Sequence, residues 1–175
     1  RSQDFLGAAQ TWLQACRCQW DLVKNGEREA SLEDLRWYIA SYVATKAGAL
    51  SQVGHDYGAA RPYYLSFFAL VQEDDPLWDR MRGLINPMLS YYWTNTAREL
   101  GLTFQPHNSP ARTAVEVATH PHVQLRQVWH AASEALARVN PRLVKRVAEQ
   151  IRLNAGDSAE SLGVADELDA LVNNA

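Results

Sequence analysis

The stretch NPRLVKRVAEQIRLN, residues 140–154, shows how this chain is built. Asn140 has a side chain that caps helices, and Pro141 follows at the position where a first helical turn has no use for an N–H. Leu143, Val144, Val147 and Ile151 then recur at steps of one, three and four, which is one face of an α-helix. Arg142, Lys145, Arg146, Glu149 and Arg152 fall on the other face.

The same punctuation occurs at four more places. Arg61-Pro62, Asp75-Pro76, Ser109-Pro110 and His120-Pro121 each place proline after a cap-like residue, and each predicts a helix start. Between them, apolar residues keep helical spacing. Phe5, Ala9, Trp12, Cys16, Trp20 and Val23 form a stripe that Asn25-Gly26 ends. Ser31 opens a second helix, with Asp34 where a capping-box acid stands. Its stripe runs from Leu32 to Val53, and the loop Gly54–Gly58 closes it. The segment after Pro62 is apolar almost all round, which predicts a central helix buried on most sides. A fourth helix spans about 76–100, and Pro87 within it predicts a kink or a break, because its ring meets the carbonyl of Gly83. Helices at about 110–119, 121–138 and 141–154 follow, then a weak one within 157–173.

No period-two run flanked by turn residues occurs, so no strand is expected. The fold class read from this is all-α: a compact multi-helix bundle of seven or eight helices, with helices one to four as its core. Residues 1–156 read as a single helical domain and 157–175 as an acidic C-terminal segment with a weak helix. With 175 residues, 47% of them hydrophobic, the chain has ample material for a core. No run of about 18 apolar residues exists, which excludes a transmembrane helix. No leader pattern is visible, which predicts a cytoplasmic protein. Two cysteines do not form a disulfide framework.

The net charge of −3 conceals a sorting along the chain. Residues 1–60 and 61–109 each carry −1, residues 110–154 carry +4, and residues 155–175 carry −5. The basic segment supplies Arg112, Arg126, Arg138, Arg142, Lys145, Arg146 and Arg152. The candidate phosphate contacts are Arg142, Lys145, Arg146 and Arg152 on the helix at 141–154, aided by Arg98, Arg112 and Arg126. The alternatives are a solvated outer face, an acidic partner or a lipid surface, or the acidic tail folding back as a counter-charge. Thr96–Thr103 looks like the first helix and turn of a helix-turn-helix, but Phe104–Pro110 delays the second helix that such a motif requires.

Signals for catalysis are sparse. His107, Glu116, His120 and His122 are candidate metal ligands, although their spacing matches no compact zinc motif. Cys16 and Cys18 are two apart on a helix and point to different sides; Cys16 reads as a core thiol. His55-Asp56-Tyr57 reads as a turn with one hydrogen-bonded Asp rather than an acid–base site. No phosphate-binding glycine pattern exists, and no cofactor is expected.

Six Trp, seven Tyr and four Phe are the unusual feature of the composition. Most lie on apolar stripes, but the neighbours Trp37-Tyr38, Tyr63-Tyr64 and Tyr91-Tyr92-Trp93 point in different directions. Some rings are therefore left over for a second layer, a dimer interface or a ligand pocket. The expected function is a non-catalytic protein-interaction or regulatory module that self-associates or binds a protein partner. A nucleic-acid-binding protein using helix 141–154 is the alternative, and a small-ligand or metal-binding helical protein the second. No membrane insertion is expected.

Overall fold

The computed structural model describes residues 4–27 and 31–175, and they are all-α. The helices are α1 (Phe5–Lys24), α2 (Leu32–Gly48), α3 (Tyr57–Leu70), α4 (Pro76–Glu99), α5 (Pro110–Ala118), α6 (Val123–Val139), α7 (Pro141–Ala155) and α8 (Ala159–Asn173). A single π-helical turn, Ala49–Val53, continues α2. No strand occurs among the described residues.

Three of the five proline dipeptides start helices as expected. Asp75 accepts from the Leu77 N–H at 2.9 Å ahead of α4. Ser109 accepts from Arg112 ahead of α5, and Asn140 from Leu143 at 3.1 Å ahead of α7. The other two expectations need correction. Helix α3 starts five residues before Pro62, at Tyr57, because Asp56 already caps it by accepting from the Ala59 N–H at 3.1 Å. Pro62 and Gly58, the residue whose carbonyl loses its helical partner, are both exposed, where a lost backbone bond costs least. Helix α6 starts two residues after Pro121, at Val123, where the His122 ring accepts from the Leu125 N–H at 3.3 Å. Helix α4 runs unbroken through Pro87, with Pro87 and Gly83 both exposed.

The chain divides into two compact units, residues 1–81 and 82–175, and the division falls within α4. In the first, α1 and α3 pack on α2 and on the π turn. Tyr64, Phe67, Phe68 and Val71 are fully buried there, whereas Tyr63, Leu65 and Leu70 are only half-buried. Full burial of α3 is thus narrower than its apolar composition suggests. The Phe5 ring lies against Gly48, where an added Cβ would sit 2.8 Å from it, so α1 approaches α2 closely at that point. Arg36 ties α2 to the start of α4 through Asp75 at 2.5 Å and the Leu70 carbonyl at 3.3 Å.

In the second unit, α7 packs on α8, and α5 and α6 pack on both. Its core holds Trp93, Trp129, Leu125, Leu136, Val144 and Leu168. Tyr92 donates to the Ala132 carbonyl at 2.7 Å and Trp93 to Ser133 at 3.1 Å, fastening α4 to α6. Gly156, between α7 and α8, has φ of 55° and ψ of −127°, a conformation that side chains with a Cβ resist.

Candidate functional site

Helix α1 is built as the stripe predicts, with Asp4 capping it through the Gly7 N–H at 2.8 Å. It packs on α2, yet among its described side chains only Ala9 is fully buried. Phe5, Trp12, Cys16 and Val23 are half-buried. Beside this stripe runs a second line: Leu6, Leu13 and Trp20, seven residues apart, which places them two turns apart on one flank. Leu6 is 54% exposed, Trp20 is 51% exposed and Leu13 is half-buried. Gln19 donates to the Ser31 carbonyl at 3.3 Å, bringing the start of α2 beside the end of α1. Leu32, the first residue of α2, is 62% exposed.

One of the surplus aromatic pairs, Trp37-Tyr38, clusters with Trp12 of the α1 stripe. Trp12 meets Trp37 edge-on at 5.5 Å between centroids, and Tyr38 lies 6.0 Å from Trp12. The Arg80 guanidinium covers Trp37 at 4.4 Å and is itself paired with Asp34 at 2.8 Å. All three rings are half-buried. The chain neighbours Trp37 and Tyr38 thus join one cluster instead of parting to opposite surfaces, each packing on Trp12. Burial raises the Cys16 thiol above its ordinary pKa, opposed by a backbone hydrogen bond, and this disfavours the thiolate that redox chemistry needs. Burial likewise raises Tyr42, helped by Tyr63 and Cys16.

Several of the basic residues are held by carboxylates or backbone carbonyls. Arg152 pairs with Asp166 at 2.8 Å and Asp169 at 2.6 Å, and these hydrogen bonds hold its pKa above the usual guanidinium value. Arg126 donates to the Ala118 carbonyl and, at 3.1 Å, to Glu167, which also receives His130 at 2.6 Å. Arg138 pairs with Glu134 on its own helix, and Arg98 folds back to the Phe104 carbonyl. The acidic tail therefore does return as a counter-charge: α8 is packed down by Val164, Ala165 and Leu168 and meets α6 and α7 with three acids. Arg142, Lys145 and Arg146 stay exposed on one face of α7. Arg112 is exposed in the first turn of α5. After Gly101, residues 102–109 carry no helix, so nothing follows Thr96–Thr103 as a recognition helix would.

Of the candidate metal ligands, His107 and Glu116 bond directly to each other. His120 and His122 serve the turn between α5 and α6: the His120 ring accepts from the His122 N–H, and His122 caps α6. Among the described residues no three of His, Cys, Asp or Glu come together as a metal-binding group. His55, at φ of 51°, stands 3.2 Å from the Tyr57 hydroxyl, and Asp56 is occupied as a helix cap.

Two features escaped the sequence reading although their signal was present. The seven-residue spacing of Leu6, Leu13 and Trp20 is masked in the sequence because Trp20 also continues the inner stripe. The acids Asp166, Glu167 and Asp169 fall within one turn of α8, which is a visible signature of a helix turned toward cations. No helix is long and apolar enough to cross a membrane among the described residues. Compared with protein families, curated proteins and solved structures, the chain matches none.

Proposed function

We propose that the chain is a non-catalytic protein-interaction module of the cytoplasm, with the outer flank of α1 as its contact face and a second copy of the chain as its first partner. One observation carries this reading: Leu6, Leu13 and Trp20 form an apolar line at heptad spacing, and its two ends are more than half exposed. Such a line suits packing against another helix, where every second turn supplies a knob. Tryptophan is enriched among residues that dominate interface energies.

Light scattering across the micromolar range tests the self-association. A mass of two chains that falls to one in the Leu6→Glu, Trp20→Glu variant is the expected result. A strict monomer removes the second copy as partner, and unchanged dimerisation in the variant removes the α1 flank. The nucleic-acid reading rests on Arg142, Lys145 and Arg146, exposed together on α7. We place it second because Arg126 and Arg152 already hold carboxylates. Its test is a shift of labelled duplex DNA or RNA at low salt that Arg142→Glu with Arg146→Glu abolishes; no shift by the unaltered chain ends that reading.

A further inference from the structure

Helix α1 is held on its unit by less than any other helix. It buries Ala9 alone, whereas every other α-helix buries four or more side chains. Among the described residues, one side-chain hydrogen bond reaches beyond it, from Gln19 to the Ser31 carbonyl, and no ion pair does; Lys24 is paired with Asp21 of α1 itself. Its anchors are aromatic. Phe5 lies against Gly48, and Trp12 packs on Trp37 and Tyr38, yet both anchors are only half-buried. Elements with few buried contacts open at a lower free energy than the rest of a protein. Once off α2, the 20 residues of α1, Gly7 and Thr11 among them, lose most of their helix, because an isolated helix of this kind is marginal in water. The line Leu6, Leu13, Trp20 is therefore assembled only while α1 is docked.

We propose that α1 is a detachable strap: it leaves α2 while α2 and α3 stay folded, and pairing of its outer flank with a second copy locks it shut. The lock rests on the α1 flank being the self-association face. A partner that binds the docked form alone adds its binding free energy to the cost of opening, so α1 opens from the free chain and is held in the pair. Gly48→Ala loosens the strap from its inner side. The added Cβ would sit 2.8 Å from the Phe5 ring, and it touches none of Leu6, Leu13 and Trp20. Helix α2 itself gains a better helix former.

Amide hydrogen exchange of the full chain, read beside its mass by light scattering across the micromolar range, tests both halves. In the dilute chain the α1 amides are expected to exchange about tenfold or more faster than the buried amides of α2 and α3. They should slow as the dimer forms, and Leu6→Glu with Trp20→Glu should remove that concentration dependence. Gly48→Ala should speed α1 exchange about tenfold and leave α2 and α3 nearly unchanged. If α1 exchanges together with α2 and α3, or if Gly48→Ala speeds all three alike or none, the strap is overturned whatever the mass. A dimer whose α1 exchange ignores concentration overturns the lock alone. Early exchange of α1 in a chain that stays a monomer overturns the lock through the failure of the flank reading.

Discussion

Two buried indoles differ in one hydrogen bond. Trp93 donates to Ser133, whereas the Trp129 Nε1 is buried without an acceptor among the described residues. Trp93→Phe strands a fully buried hydroxyl in addition to removing ring atoms, so it should cost about 1 kcal/mol more than Trp129→Phe in urea unfolding. Asp75 is a second such case. Burial raises its pKa, but the Leu77 N–H and the Arg36 guanidinium outweigh it and leave the carboxyl below its ordinary value. A group lowered in this way stabilises fully above its unfolded pKa, near 3.8, and loses that contribution as pH falls through the folded value. Asp75→Ala should cost about 1–2 kcal/mol at pH 7 and flatten the acid limb of a stability–pH curve. The pairing of Arg36 with Asp75, 39 positions apart, was not legible in the sequence, because charge pattern constrains only neighbours on one helix.

At the scale of elements, caps and glycines were the legible part. Asn25-Gly26 and Gly101 end helices where expected, both glycines having positive φ. Pro76, Pro110 and Pro141 begin them. Pro62 and Pro121 misled for opposite reasons. Asp56, a stronger cap, starts α3 before Pro62, and His122, an unusual cap, delays α6 until after Pro121. Proline marks where an N–H is dispensable, and that includes an exposed second turn as well as N1. Glycine substitutions separate two roles by experiment. Gly156→Ala forces a Cβ into a conformation it resists and should destabilise by about 1–3 kcal/mol. Gly163→Ala, in α8 with open space around it, should stabilise by about 0.8–1 kcal/mol. Thermal or urea unfolding of the two variants reads both signs. The ion pairs from α8 to Arg152 are partly exposed, so Arg152→Met should cost at most about 1 kcal/mol.

For the whole molecule, the all-α class followed from periodicity; of the alternatives that the charge sorting left open for the acidic tail, α8 meets Arg126, His130 and Arg152, while Arg142, Lys145 and Arg146 stay exposed. Periodicity could not say how completely each stripe is covered. Helix α1 has a stripe as good as any in the chain and buries only Ala9 fully, since coverage depends on what packs from outside. That uncovered flank is the basis of the functional proposal. A dilution series of ¹H–¹⁵N spectra tests it most directly, because the Trp20 indole N–H reports from the flank itself. The account predicts concentration-dependent shifts at Trp20 and along Leu6–Leu13, which Leu6→Glu abolishes. Spectra unchanged on dilution, or shifts that map to α7 instead, would contradict it.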